Sequence, residues 1–135
     1  MFEGNESARI QLELNGLEEA LVVADKEQIS RVLTNLVKNA LQAIPSDRKG
    51  IVVLEIRKTN EGFRIMVADN GVGIPEEMQG RLFQPNFTTK TTGMGLGLAI
   101  SKRIIEHAGG KIWFETQPGK GTQFYITLPA LQNGQ

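Results

Sequence analysis

The chain of 135 residues has no cysteine and no excess of charge of either sign. Without thiols it forms no disulfide, no thiolate metal site and no cysteine nucleophile, and a reducing compartment suits it. Fifteen Lys and Arg residues balance fifteen Asp and Glu residues, so no long-range field attracts nucleic acid or an anionic membrane. The sequence also lacks an apolar run of membrane-spanning length and the pattern of a signal peptide. We therefore expect a soluble protein without a nucleic-acid partner, which binds any anion through local groups.

The length fits one domain with its own core, between polar ends at residues 1–7 and 132–135 that we expect to be disordered. Alternation of apolar and polar residues predicts strands in three pairs. The pairs fall within residues 10–24, 52–69 and 112–128. Turn-forming residues separate the two strands of each pair, and the first and third pairs are expected to form hairpins.

Apolar residues at helical spacing predict two helices, one over Asp25–Ile44 and one over about Leu96–Ala108. The residues expected to face inward from the second helix are Leu96, Ile100, Ile104 and Ile105. Between the helices, residues 70–95 include a long irregular segment, broken by a short helix after Pro75, of the kind that is usually functional or mobile. This order of elements predicts an α+β fold with helices on one face of a mixed sheet.

Two asparagines, Asn35 and Asn39, stand one turn apart on the first helix, on the face opposite its apolar stripe. Their amides are expected to project side by side. Two amide oxygens on a rigid helix suit a hard cation that phosphate oxygens complete, which is the pattern of a magnesium–nucleotide site. The alternative from this helix alone is a pair of solvated surface residues.

Two glycine clusters add further candidates. Asp69 ends an apolar strand ahead of Gly71 and Gly73, so its carboxylate could accept a hydrogen bond from an exocyclic amine such as that of adenine, although an ordinary turn has the same composition. A second cluster opens the second helix, where free backbone amides could meet phosphate. Its glycines are Gly93, Gly95 and Gly97.

Taken in order, these segments resemble the N, G1, F, G2 and G3 boxes of sensor histidine kinases. The segments are Asn35 with Asn39, Asp69–Gly73, Phe83–Phe87, Gly93–Leu98 and Gly119–Thr122. The catalytic and ATP-binding domain of that family belongs to a wider group with gyrase, the Hsp90 chaperones and the MutL repair proteins, and the resemblance covers residues 8–131. It implies a two-layer α/β sandwich, the Bergerat fold, in which helices cover one face of a mixed, mostly antiparallel sheet and a flexible lid closes over ATP.

Carried onto this sequence, the resemblance makes Asp69 the acceptor for the adenine amine, with Gly71 and Gly73 lining the base pocket. Thr122 would lie on the pocket floor near the base. Further nucleotide contacts are implied for Ala43, Ile74, Leu96 and Leu98.

For the phosphates, the resemblance makes Asn39 and Asn35 ligands of Mg²⁺ and Lys90 a cationic contact, and these three are the implied catalytic residues. Gln42 stands where many members carry Lys or Arg, which places more of the charge compensation on Lys90 and Lys38. Lid closure on the phosphates would use Gly93, Gly95 and Gly97. Phe83 and Phe87 resemble the lid phenylalanines of the family, or else they anchor the loop in the core.

Gyrase-type and MutL-type relatives carry a water-activating glutamate at the position of Asn35, and the serine kinases of the group tend to keep it. An asparagine takes up no proton, so the chain looks suited to transferring the γ-phosphoryl rather than to rapid hydrolysis. His107 is the only histidine and lacks the acidic neighbour of a phosphoacceptor motif. A histidine near a helix end is ordinary, because the helix dipole favours it.

The resemblance therefore implies a histidine kinase whose phosphoacceptor lies on a separate dimerisation domain of the same kinase, with a response regulator as the next partner. The chain alone is expected to be monomeric and cytoplasmic, either independently or as the cytoplasmic part of a membrane-bound sensor. Two alternatives remain: a nucleotide-responsive binding module without transfer activity, and a serine kinase or ATPase domain of the same group.

Overall fold

The computed structural model describes residues 8–13, 26–84 and 94–129. Its elements are β1 (Ala8–Glu13), α1 (Lys26–Gln42), β2 (Gly50–Lys58), β3 (Gly62–Asp69), α2 (Glu76–Gln79), α3 (Met94–His107), β4 (Lys111–Gln117) and β5 (Gly121–Pro129). The predicted helices and strands are confirmed close to their expected bounds. The second strand of the first predicted hairpin, the polar ends and most of the expected lid lie outside the described residues.

The strands form one five-stranded sheet in the order β1-β2-β3-β5-β4. β1 runs parallel to β2, and the other neighbours are antiparallel. This confirms the mixed, mostly antiparallel sheet. In its centre β3 pairs with β5 so that Asp69 stands opposite Thr122, which brings the ends of the first and last glycine-containing motifs together.

One face of the sheet packs against α1 and α3, and the core lies between these two layers. Alternation along the strands sends every second side chain into it, and the fully buried Val52, Val67 and Ile126 are examples. Burial of each such side chain stabilises the fold by roughly 1.5–3 kcal/mol. The helices contribute Val32, Leu36, Val37, Ala40, Leu98 and Ile105. The architecture is therefore the expected α+β sandwich.

The expected inward face of α3 needs one correction. Ile100 is 49% exposed, whereas Leu98, Ser101 and Ile105 are buried. Ile100 lies about 200° around the helix from Leu98, at roughly 100° per residue, so the two cannot share a face. The prediction is confirmed for Ile105 and the partly buried Ile104, and the side chain of Leu96 lies outside the described part.

Among the described residues, no helix has the length and apolar character needed to cross a bilayer.

Candidate functional site

A small cavity lies between the C-terminal half of α1 and the end of the sheet where β3 stops. It is lined by Asn39, Ala40, Ala43, Asp69, Gly73, Ile74, Thr122 and Phe124. Six of these are predicted site residues that lie far apart in the sequence. Ala40 and Phe124 were not predicted, because an alanine and a phenylalanine in apolar patterns give no signal beyond core packing.

The carboxylate of Asp69 is the charged group of this cavity. Its Oδ1 accepts a hydrogen bond from the backbone N–H of Gly71 at 2.8 Å. Burial raises the pKa of Asp69 to about 6, although backbone hydrogen bonds from Gly71 and Thr122 act to lower it. A carboxylate has about four lone-pair positions, so Asp69 retains capacity to accept a hydrogen bond from a ligand donor.

Two threonines, Thr116 and Thr122, face each other across the β4–β5 hairpin, and Thr122 lines the cavity. The hydroxyl of Thr116 donates to the carbonyl of Gly121 at 3.0 Å and accepts from the N–H of Ile74 at 3.0 Å. It also lies 2.8 Å from the hydroxyl of Thr122. Since the only proton of Thr116 goes to Gly121, Thr122 donates in this contact and keeps its lone pairs for a ligand.

Thr116 was missed by the sequence analysis, although a signal for it exists. The predicted turn at residues 117–121 pairs Thr116 with Thr122, and this pairing is the observed register. A threonine opposite a predicted site threonine is a candidate for orienting it.

Asn39 corrects the expectation that both asparagines lie opposite the apolar stripe. The residue is only 5% exposed, and it lines the cavity together with Ala40 and Ala43. Within the described residues its Nδ2 is buried without a hydrogen-bond partner. An unsatisfied buried donor destabilises a fold by about 1–3 kcal/mol, so this amide lowers the stability of the domain unless a ligand accepts its hydrogen bond.

Asn35 lies at the crossing of α1 and α3, outside the cavity that Asn39 lines. Its Nδ2 donates to the hydroxyl of Ser101 at 3.3 Å. A Cβ on Gly97 would overlap the Asn35 amide, so Gly97 is the position where α3 admits this side chain. Together they form part of a groove that also contains Ser30, Arg31, Thr34, Lys38 and Ile100. The exposed Lys38 thus places a cation near Asn35.

Neighbouring backbone leaves no space for a side chain at Gly71 or Gly73, the two glycines after Asp69. A Cβ on Gly71 would lie 2.5 Å from the carbonyl oxygen of Ala43, and one on Gly73 would lie 2.5 Å from that of Gln117. Gly73 also has φ +75°, which favours glycine. Gly73 lines the cavity as expected, whereas Gly71 packs against the end of α1 and does not.

Other predicted residues fall elsewhere. Leu98 is completely buried in the core cluster and does not line the cavity. Gly95 and Leu96 lie in the first turn of α3, of which only the backbone is described, and Lys90 and Gly93 lie outside the described residues.

Phe83 packs its ring 6.0 Å from Phe114 and 6.5 Å from Phe124, measured between centroids. These contacts favour the interpretation that Phe83 anchors its loop on the core. Phe87 lies outside the described residues.

Comparison with known proteins agrees with this geometry. The sequence profile of histidine kinase-, DNA gyrase B- and HSP90-like ATPases matches residues 24–132. The chain belongs to this family. It is 42% identical over 113 residues to the adaptive-response sensory kinase SasA of Prochlorococcus marinus, covering 80% of this chain and 29% of SasA. It is 45% identical over 111 residues to the sensor protein FixL of Bradyrhizobium diazoefficiens, covering 82% of this chain and 22% of FixL.

A nucleotide-free structure of the catalytic domain of histidine kinase ThkA superposes with a TM-score of 0.80 at 36% identity, covering 92% of this chain and 81% of that chain. The chain is thus the ATP-binding catalytic domain of a sensor histidine kinase. It spans less than a third of the length of SasA and FixL.

Proposed function

We propose that this catalytic domain binds Mg²⁺-ATP with the amine edge of the base at the cavity, and supplies the γ-phosphoryl group to a histidine on a separate dimerisation domain of the same kinase, from which a response regulator receives it. The observation that carries the proposal is the meeting of Asp69, Thr122 and the buried amide of Asn39 around one cavity. This set provides an acceptor for a base and a group for metal or phosphate in adjacent positions.

Recognition of the base would rest on acceptors. Asp69 retains lone pairs beyond the contact with Gly71, and Thr122 donates to Thr116 and so presents its oxygen as an acceptor. The exocyclic amine of adenine is a donor that complements both. Guanine has a carbonyl at that position, and two acceptors facing each other are repulsive, so the cavity favours ATP and ADP over GTP.

The side chains present offer ligand atoms of the type that Mg²⁺ binds. An asparagine amide oxygen is a hard ligand, and Mg²⁺ is commonly bound by few protein groups together with phosphate oxygens and water. Asn39 would hold the ion through Oδ1, with Asn35 as the second protein group, and Lys90 and Lys38 would contact the phosphates as cations. When bound, the metal neutralises charge that develops during phosphoryl transfer.

The residue at position 35 argues for transfer rather than hydrolysis. Its Nδ2 donates to Ser101, and an amide has no basic group that could take a proton from water. The reaction therefore needs a nucleophile from elsewhere. An imidazole nitrogen of the acceptor histidine would attack the γ-phosphorus, the bond to the ADP oxygen would break, and the imidazole would lose its proton. Since the reaction consumes ATP, we place the domain in the cytoplasm.

The test combines calorimetry with a transfer assay. The domain should bind ADP and Mg²⁺-ATP, hydrolyse ATP slowly alone, and label the purified histidine-bearing hairpin of its own kinase with acid-labile, alkali-stable phosphate. A hairpin with its acceptor histidine changed to alanine should remain unlabelled. Nucleotide binding without any transfer would indicate a binding module, and brisk hydrolysis or acid-stable phosphoserine would indicate another branch of the family.

A further inference from the structure

Arg48, in the loop between α1 and β2, joins the two loops that bound the cavity. Its Nη1 donates to the carbonyl oxygen of Asn70 at 2.9 Å and to that of Gly71 at 3.1 Å. The same nitrogen lies 3.1 Å from the carbonyl oxygen of Gly119, in the turn between β4 and β5. One guanidinium nitrogen therefore gathers three carbonyl oxygens from two segments that are distant in sequence.

The charge of Arg48 is suited to this task. Converging carbonyl dipoles repel one another, and a cation among them replaces that repulsion with charge-assisted hydrogen bonds, which are stronger than neutral ones. Among the described residues, Arg48 has a long ion pair, 3.7 Å from its Nε to Oδ1 of Asp47, whose side chain is 78% exposed. Only 33% of the Arg48 side chain is exposed, so it is held mainly by the protein around it.

Other hydrogen bonds join residues 70–72 to the α1–β2 loop, the start of β2 and the β4–β5 turn. The side chain of Asn70 accepts from the N–H of Ile51 at 2.8 Å and donates to the carbonyl of Lys49 at 2.9 Å. The N–H of Gly119 donates to the carbonyl of Val72 at 2.6 Å. Residues 70–73 thus lie between the α1–β2 loop and the β4–β5 turn, and the side chain of Arg48 contacts both residues 70–71 and that turn.

The contacts of Arg48 with the carbonyls of Asn70, Gly71 and Gly119, here called the clamp, involve residues next in sequence to groups that line the cavity. Asp69 precedes the clamped carbonyls in sequence, and Gly73 and Thr122 follow the clamped segments closely. Arg48 itself is absent from the cavity lining. It is therefore placed to set the position of Gly73 in the cavity without contacting a base.

We propose that Arg48 is a positioning residue for adenine selectivity: it holds residues 70–73 against the β4–β5 turn, so that Gly73 keeps the place in the cavity, beside the strand-paired Asp69 and Thr122, that fits the amine edge of adenine. The inference rests on the proposed recognition of adenine in this cavity. It goes further in assigning selectivity to a residue that does not contact the nucleotide.

The experiment compares Arg48→Ala and Arg48→Lys with Lys49→Ala, the matched control. Lys49 is exposed and contributes to the clamp only its backbone carbonyl, which alanine retains. Affinities for ADP and GDP are measured by calorimetry at one salt concentration, on proteins shown to be folded by circular dichroism. Loss of a positive charge weakens binding of both nucleotides alike, so the ratio of ADP to GDP affinity isolates the positioning effect.

Arg48→Ala should weaken ADP binding about tenfold, comparable to the loss of one charge-assisted hydrogen bond, and should lower the ADP to GDP ratio. Arg48→Lys should retain part of the ratio, since an ammonium keeps the charge but the lysine side chain is shorter and reaches the three carbonyl oxygens less well. Lys49→Ala should keep the full ratio. Amide exchange in the free Arg48→Ala protein should become faster at residues 70–73 and 117–121 than in the control.

The outcomes are distinguishable. A wild-type domain that prefers ADP, combined with Arg48 variants that keep the full ADP to GDP ratio, overturns this inference and leaves the proposed function intact. A lower melting temperature with an unchanged ratio assigns Arg48 to fold stability alone. A wild-type domain that binds ADP and GDP equally overturns the adenine assignment and this inference together. If Arg48→Ala does not fold, Arg48→Lys and its amide exchange still decide the matter.

Discussion

Gly97 of α3 and Asn35 of α1 occupy one position at the helix crossing, because the Asn35 amide fills the space where any larger residue at 97 would place its Cβ. Ser101, one turn further along α3, accepts a hydrogen bond from the same amide at 3.3 Å. Gly97 therefore has a packing role in addition to any role in a lid. This contact links the start of α3 to a proposed metal ligand.

Gly97→Ala should weaken Mg²⁺-ATP binding more than binding of metal-free ADP, since the added methyl displaces Asn35. Alanine normally stabilises a helix by about 1 kcal/mol relative to glycine, but overpacking at this crossing costs about 1–3 kcal/mol, so we expect net destabilisation. Urea denaturation and calorimetry measure the two effects. Gly80→Ala is the control, because a Cβ there meets nothing within 4 Å. Equal stability of both variants would show that the crossing adjusts without displacing Asn35.

Asn39→Ala should lose Mg²⁺-ATP binding while the nucleotide-free domain keeps its stability within about 1 kcal/mol, or gains some. The substitution removes a buried Nδ2 that lacks a partner among the described residues, and this relief offsets the lost packing. Metal-free ADP should be affected less than Mg²⁺-ATP. Denaturation by urea and titration with both ligands test this. A loss of several kcal/mol of stability in the free protein would instead give the amide a structural role.

Asp69→Asn should be more stable than the wild type at pH 7.5. The pKa of Asp69 is raised from 3.8 to about 6 by burial, so the native state binds this proton more tightly than the unfolded state. The free energy of unfolding then falls as pH rises from about 4 to 6, and at higher pH the ionised carboxylate costs up to about 3 kcal/mol, at 1.36 kcal/mol per pKa unit. The advantage of Asp69→Asn should shrink towards pH 4. A stability difference that stays constant from pH 4 to 7.5 would contradict the shifted pKa.

The ionisation of Asp69 should also be visible in the pH dependence of ADP binding. The adenine amine needs an acceptor, and the ionised carboxylate accepts better than the acid, so wild-type affinity for ADP should rise with pH up to about 6 and then level off. Asp69→Asn should bind ADP more weakly at pH 7.5 and should lack this dependence. Calorimetry from pH 5 to 8 measures both curves. Parallel curves for the two proteins would assign the pH dependence to the phosphates or to other groups.

The sequence predicted the elements of the fold well, because periodicity reports burial directly. It failed where a polar residue is buried: Asn39 was placed opposite the apolar stripe, yet it faces the cavity beside Ala40 and Ala43. The cavity is lined by residues of both α1 and the sheet, so it exists only in the folded chain and the helix pattern alone does not reveal it. Arg48 and Ser101 escaped prediction for a related reason, since their partners lie 22 or more residues away along the chain and no local pattern marks those contacts.

Thr116→Val should lower both stability and adenine selectivity. The hydroxyl of Thr116 accepts from the N–H of Ile74 at 3.0 Å and contacts the hydroxyl of Thr122 at 2.8 Å. Valine has no acceptor, so it leaves the N–H of Ile74 without its partner. An unpaired buried donor costs about 1–3 kcal/mol. Thr122 then loses the acceptor that directs its proton away from the cavity, and its hydroxyl becomes free to donate to the carbonyl of guanine.

The ratio of ADP to GDP affinity should therefore fall in Thr116→Val, measured by calorimetry alongside urea denaturation. Thr127→Val is the control within the same hairpin, because its hydroxyl accepts from the N–H of Lys111 at 3.2 Å at an exposed position. Water can replace that bond, so we expect a loss below about 1 kcal/mol and an unchanged ratio. If Thr116→Val loses stability while the ratio holds, the proton of Thr122 does not decide the choice of base, and selectivity rests on Asp69.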